Sequence, residues 1–269
     1  MRLIVLSTVF AMSATLAHAQ QEAEPPPSRC VAIVETLPSV TYASFGPELA
    51  QAFVDGPVTI SYAGHSTYVI ETPGGVRVAT DFSGHYGYDP LPRVVTMNKA
   101  HRTHFSDAPD PGIEHVLRGW NPEGGPARHA LVVDDIYIRN VPTDIRRWDA
   151  MEPDGNSIFI FEVAGLCIGH LGHLHHHLED AHYGAIGRLD IVMVPIDGGM
   201  TLSVEAVAEI TRRLYSSIIL PMHRHATPLS EFTSRMGEAF DLRFSEERSF
   251  SVSLRDLPRR PTILVLRGV

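Results

Sequence analysis

Within Gly169–Leu178, "GHLGHLHHHL", five of ten residues are histidine, and the run is internal rather than a terminal tag. Neutral imidazole is a metal ligand, and its titration near neutrality also makes it a proton carrier. Two shorter segments share the trait: "NKAHRTHF" carries His101 and His104, and "LPMHRH" carries His223 and His225. The chain holds fifteen histidines but only two cysteines, so a metal would rest on imidazoles and carboxylates rather than thiolates. The run by itself reads equally as a metal site, a pH-sensitive surface or a solvated turn.

Each histidine segment directly follows an apolar run. "VTISY" (58–62), "STYVIE" (66–71), "VRVAT" (76–80) and "RVVTM" (93–97) read as strands, with Pro73-Gly74-Gly75 turning the second into the third. "ALVVDDIYIRNV" (130–141) reads as two strands bent at Asp134-Asp135, and "NSIFIFEV" with "LCIGH" as a hairpin around Ala164-Gly165. "LDIVMVP" (189–195) and "SIILPMH" (217–223) are continuously apolar, as in strands covered on both faces. Between them Val204, Val207, Ala208, Thr211 and Leu214 recur at helical spacing, and Leu229, Phe232 and Met236 repeat the pattern later. Many strands with few, late helices predict packed sheets with helices outside. Strand ends in layered α/β proteins are where loops gather into a site.

The chain has 269 residues. "MRLIVLSTVFAMSATLAHAQ" has one basic residue, Arg2, then an apolar stretch, then Ala17-His18-Ala19, the order of a secretory signal cleaved after Ala19. Residues 1–19 are therefore expected to be a signal peptide, 20–29 a polar, Pro-rich leader, and 30–269 one domain. The expected location is periplasmic or secreted, with no membrane span after cleavage. A net charge of −9 and no Lys/Arg cluster argue against a nucleic-acid partner, leaving an unknown small-molecule substrate. Cys30 and Cys167 could pair in an oxidising compartment or remain buried thiols; spacing does not choose.

In this order, "ISYAGHSTYVIET", "VATDF", "RVVTMNKAHRTHFSD", "GNSIFIFEVAGLCIGHLGHLHHHL", "MVPIDGGMT" and "LPMH" resemble the metallo-β-lactamase-fold hydrolases. The nearer resemblance is to the branch with ascorbate-6-phosphate lactonase and N-acyl-phosphatidylethanolamine phospholipase D. It covers roughly residues 58 to 226 and implies an αββα sandwich of two mixed sheets flanked by helices, with metal at one sheet edge. The departures matter as much. On the family's His-x-His-x-Asp-His motif, Lys99 falls at the first His, His101 at the second, Thr103 at the Asp and His104 at the last His. No histidine stands near "NVPTDIRRWD", where Asp144 is the nearest substitute, and His173 replaces the carboxylate that bridges two metals. With that bridge gone and an ammonium at a ligand position, a two-metal centre is not expected.

The resemblance leaves His101, His104, His173 and His223 as ligands of one divalent cation, zinc being expected and iron or copper the alternatives. Asp81 would orient a ligand histidine. His65 would line the pocket or serve structurally, and Lys99 would either polarise a substrate oxygen or form a strand-end salt bridge. Backbone amides of Gly198-Gly199 are further oxyanion candidates, and His170 and His225 reserve ligands. His175, His176, His177 and His182 read mostly as a solvated turn. Function follows in two forms: an exported metal-dependent hydrolase of a lactone, phosphodiester or amide, or a periplasmic metal- or ligand-binding protein that has lost catalysis. A copper or iron redox site is a third reading.

Overall fold

The computed structural model describes residues 27–31, 54–147 and 150–269; the expected signal peptide and most of the leader lie outside them. Among the described residues, the strands are β1 (Val58–Gly64), β2 (Thr67–Glu71), β3 (Arg77–Ala79), β4 (Val94–Met97), β5 (His115–Arg118), β6 (Ala130–Val133) and β7 (Ile136–Arg147). They continue with β8 (Ala150–Val163), β9 (Leu166–His170), β10 (Ile191–Pro195), β11 (Ile218–Met222), β12 (Asp241–Phe244), β13 (Ser249–Val252) and β14 (Thr262–Val265). The helices are α1 (Asp180–Ile186), α2 (Val204–Leu214) and α3 (Leu229–Met236). No helix of the described residues is long and apolar enough to cross a membrane.

The strands form two mixed sheets, a six-stranded one ordered β13-β1-β2-β3-β4-β5 and an eight-stranded one ordered β12-β14-β11-β10-β9-β8-β7-β6. Period-2 alternation assigns each side chain a layer. On β8, Phe159 and Phe161 join Tyr68, Ile70, Met193 and Leu220 in the core between the sheets. Their neighbours Ile158 and Ile160 pack with Val207, Ala208 and Phe232 of α2 and α3 on the opposite face. The other face of the six-stranded sheet, with Val69, Val95 and Met97, is covered by loop residues including Phe82, Phe105 and Trp120. This is the metallo-β-lactamase type of α/β sandwich.

Helix α2 begins where the Ser203 hydroxyl accepts the Ala206 amide, and ends at Tyr215 in the left-handed region. The strands β9, β10 and β11 run parallel, and so do β3, β4 and β5, so their C-terminal ends gather along one edge. Backbone contact ties the two sheets there: the His223 amide donates to the His65 carbonyl at 2.9 Å, and the Tyr68 hydroxyl to the Pro221 carbonyl at 2.8 Å. Cys30 and Cys167 form a disulfide, fastening the segment before the domain's first strand to β9.

Three features depart from expectation. Strands β7 and β8 extend as a long hairpin past Val141 and back before Asn156, with a register shift between Thr143 and Ile145. Pro142, Pro153 and Gly155 disguise that arm as a loop in the sequence. Helix α1 lacks an apolar stripe and is set by a capping box between Glu179 and His182. Strand β5 is too short and half-exposed to show a period.

Candidate metal centre

The loops leaving β1, β3, β4, β9, β10 and β11 deliver His65, Asp81, His101 and His104, His173, Asp197 and His223 to the shared edge. Ring centroids of His104, His173 and His223 lie 4.6 to 5.0 Å apart, and His101 is 4.5 Å from His104 and 5.1 Å from His173. His104, His173 and His223 are buried, His101 and His65 partly so. His65, Asp81 and His223 all have positive φ, at 53°, 44° and 50°. Non-glycine residues rarely adopt this conformation, at a cost of roughly 1–2 kcal/mol each, and its clustering here marks a site whose geometry the surrounding fold enforces.

Polar contacts at Nδ1 orient four of the rings alike. His104 Nδ1 is 2.7 Å from the buried Asp81 carboxylate, whose other oxygen accepts Asn98 Nδ2 at 2.8 Å. Asn98 in turn accepts the Ser157 amide at 2.7 Å, anchoring this chain to β8. His223 Nδ1 lies 3.2 Å from Asp197 Oδ1, close enough for ion pairing though off the line of a good hydrogen bond. His101 Nδ1 meets the Thr103 hydroxyl at 2.7 Å. His173 Nδ1 is 3.5 Å from His175 Nδ1, while His175 Nε2 donates to the Met200 carbonyl at 2.7 Å. In all four rings Nδ1 is turned outward to protein groups, leaving Nε2 on the opposite edge.

Those Nε2 atoms lack protein partners suited to them. His101 Nε2 and His173 Nε2 are buried without a hydrogen bond, and His104 Nε2 faces His223 Nε2 at 3.1 Å. A proton placed on His223 Nε2 would leave its bare Nδ1 lone pair against the Asp197 carboxylate. A proton kept on Nδ1 sets the two Nε2 lone pairs against each other. One proton cannot satisfy four nitrogens, whereas a metal cation can, so the donor set fits a metal.

Electrostatics agree with that chemistry. Burial, then repulsion by the other imidazoles, lowers His65 and His101 to about 4. The same causes push His173 further down, burial first. Burial alone would raise Asp81, but His104, His170 and Asn98 outweigh it and hold the carboxyl below its ordinary value. Asp197 likewise stays ionised against burial, through His223, the Thr201 hydroxyl and the Met200 amide. Neutral rings with carboxylates behind them are the state that a cation requires.

The residues expected from the sequence divide accordingly. His101, His104, His173 and His223 converge as described, and Asp81 takes a position behind His104. His65 joins them: nitrogens from His65, His101, His104 and His223, one each, lie within 4.8 Å of one another, a group that does not include His173. Its Nε2, however, already contacts the Thr103 hydroxyl at 3.0 Å, so it is less free than His173 to serve as a fourth ligand. Lys99 pairs with Glu152 on β8, the salt-bridging alternative.

Other candidates are spent on structure. The Gly199 amide is no oxyanion donor, because it is directed with those of Met200 and Thr201 to the Asp197 carboxylate. His170 is not a reserve ligand: Nε2 donates to the Ser66 carbonyl and Nδ1 accepts the Gly172 amide. Asp144 accepts the Asp154 amide, and His225 is exposed. Within the turn, His176 accepts the Asp144 amide, His182 caps α1 and His177 is exposed. Sequence reasoning passed over Asp197, Asn98 and Asn156, the last fixing the His173 amide at 2.7 Å. The Asp-Gly-Gly turn was the signal available for Asp197; Asn98 and Asn156 carried none.

A two-sheet α/β sandwich with a cluster of imidazoles at one sheet edge is the architecture of the metallo-beta-lactamase-fold, metal-dependent hydrolases. The chain belongs to the beta-lactamase superfamily: residues 59–223 match the family model described as beta-lactamase superfamily domain. Solved structures share the fold. One is a protein from Thermotoga maritima, named as a Zn-dependent hydrolase of the metallo-beta-lactamase superfamily, at 23% identity and a TM-score of 0.54, covering 78% of this chain and 98% of that one. Another, from Parabacteroides distasonis and named as a metal-dependent hydrolase, has 16% identity and a TM-score of 0.52 over 68% and 90% of the two chains. A third is Igni18, a metallo hydrolase from Ignicoccus hospitalis, with 20% identity and a TM-score of 0.50 over 68% and 92%. No curated protein matches the chain.

Proposed function

We propose that this protein is an exported hydrolase whose site holds one zinc ion on His101, His104, His173 and His223, acting on a lactone, phosphodiester or amide. The observation that carries this reading is the common orientation of the four rings, Nδ1 to protein and Nε2 left without a suitable partner. When bound, the cation supplies Lewis acidity: it polarises a substrate oxygen and makes water acidic enough to ionise near neutral pH.

The chain's own residues supply orientation. Asp81 and Asp197 keep the protons of His104 and His223 on Nδ1, and His175 does so for His173. Thr103 couples His65 to His101, leaving His65 at the more exposed side as the imidazole available to exchange a proton with a substrate. Charge supports a single ion. The two carboxylates behind the rings balance one dication, and no carboxylate is in the ligand group to bridge a second. The Cys30–Cys167 disulfide supports an oxidising compartment and hence the expected signal peptide at residues 1–19.

The test is metal analysis of purified protein refolded with zinc, together with hydrolysis assays on the three ester and amide classes. About one equivalent is expected, falling with His104→Ala or His223→Ala. A content below about 0.2 equivalents would sink the metal reading, and two equivalents the single-ion reading. A non-catalytic binding role is favoured by one observation: four imidazoles suffice to close a tetrahedral shell. In cobalt-substituted protein, a visible spectrum indifferent to added anions would choose that role, and an anion-dependent one would choose catalysis.

A further inference from the structure

A cleft of about 360 Å³ lies at the end of β1, just before His65 in the chain, walled by Tyr62, Tyr86 and Tyr88 with Arg248 at its side. Its floor includes Ser61 and Ala63 of β1, and the chain reaches His65 two residues later. The Tyr62 hydroxyl also donates to the His65 carbonyl at 3.1 Å. Two residues of chain span at most about 7 Å, so the cleft's floor at Ala63 lies within that distance of the His65 backbone.

The polar groups of the cleft are mostly committed. Tyr86 donates to Asp89 at 3.0 Å, Tyr88 shares a contact with Ser61 Oγ, and His85 Nε2 meets the Ala63 carbonyl at 3.1 Å. The tyrosines therefore offer ring surface rather than hydroxyls, chiefly that of the exposed Tyr88, which already has the Arg77 guanidinium 4.8 Å over its ring. Arg248 is different. Its guanidinium reaches only the Tyr62 carbonyl, at 3.5 Å, and has no ion-pair partner among the described residues. It rests against Gly268, where a Cβ would lie 3.0 Å from Nη2, so the backbone there leaves room to seat it. Arg224, next to His223, adds a second cation: burial raises the Tyr62 hydroxyl, and Arg248 and Arg224 both oppose that shift.

We infer that this cleft is the substrate's recognition pocket and that it selects an organic oxyanion, with a flat or apolar body against the tyrosine rings and a carboxylate or phosphate on Arg248. A guanidinium with unspent parallel donors is the group best shaped to grip such an anion. Aromatic walls with few convergent polar groups are how ligand clefts of this size bind. In a chain of net charge −9, an unpaired guanidinium on the cleft wall is a local field that an anion would follow. The inference deepens the hydrolase reading, on which its substrate role rests.

The experiment is calorimetric binding of phenyl phosphate, 3-phenylpropionate and the neutral 3-phenylpropanol to the zinc-refolded full chain, with metal content measured on the same samples. The anions should bind about tenfold or more tightly than the alcohol, whichever of phosphate or carboxylate proves better. Arg248→Gln should erase that preference with unchanged metal content and melting temperature, since the side chain is exposed. Tyr88→Ala should weaken phenyl phosphate several-fold more than inorganic phosphate. Equal binding of alcohol and anions, or a preference that survives Arg248→Gln, overturns the proposal; the second result would place the anion elsewhere. Metal loss without loss of Arg248-dependent anion binding would instead count against the zinc site alone.

Discussion

The sharpest test of the site is Asp81→Asn. Asp81 is fully buried, left-handed at φ 44°, and accepts from His104 Nδ1 at 2.7 Å and Asn98 Nδ2 at 2.8 Å. Asparagine tolerates that backbone as aspartate does and has nearly the same shape, so the change removes the charge and turns one acceptor into a donor. Its amide cannot accept both donors. If the oxygen stays with Asn98, the NH₂ faces His104 Nδ1, and the ring must move its proton to Nε2, the nitrogen expected to hold metal. If the oxygen serves His104, the amide's donor meets Asn98's donor. Either way a buried, charge-assisted hydrogen bond is lost, about 1.5–3 kcal/mol. In a chain of this size that is roughly a 3–12 °C fall in melting temperature. Zinc affinity should fall about 10- to 100-fold, as when a group that orients a metal-ligating histidine is removed. Thermal melting of the metal-free protein and competitive zinc titration read the two effects. A melting shift with wild-type zinc affinity would refute the reasoning, because Asp81 would then be only a structural carboxylate.

Gly172→Ala should strike the same relay from the other side. At φ 63° a Cβ would stand 2.4 Å from Asn156 Oδ1 and 2.5 Å from Asn98 Nδ2, so a loss of about 2–5 kcal/mol by denaturant unfolding is expected, with weakened metal binding. Since the folded state holds His65 and His101 at about 4, below the unfolded value near 6.5, the unfolded chain takes up protons first. Stability of the metal-free protein should therefore be full above about pH 6.5 and decline as pH falls from there through 4. A flat melting temperature between pH 7.5 and 4.5 would contradict it. Reduction of Cys30–Cys167, separated by 137 residues, should cost about 3–5 kcal/mol on the chain-entropy view, seen as a lowered melting temperature in reductant that Cys30→Ala/Cys167→Ala reproduces.

Much of the frame was legible before any coordinates. The continuous apolar run "LDIVMVP" predicts a strand covered on both faces, and Val192 and Met193 do enter different layers. The spacing of Val204, Val207, Ala208 and Thr211 predicts the buried face of α2. These patterns are local, so period and composition suffice. The β7–β8 arm was hidden because its Pro and Gly residues signal turns even where a long edge hairpin tolerates them.

The chain's histidine types and their positions just after apolar runs were fixed by sequence alone, and with them the expectation that imidazoles rather than thiolates meet at a sheet edge. Only the tertiary structure decided which of them are free to bind. His170 and His173 sit three residues apart in one run, yet the first spends both nitrogens on Ser66 and Gly172 while the second keeps Nε2 unpartnered. Lys99 and His101 leave the same strand, yet one turns to Glu152 and the other to the cluster. The reason is that a nitrogen's availability depends on what the rest of the fold places against its other edge. Those partners, Asp81, Asp197, Thr103 and His175, arrive from separate loops whose convergence follows from how the two sheets pack.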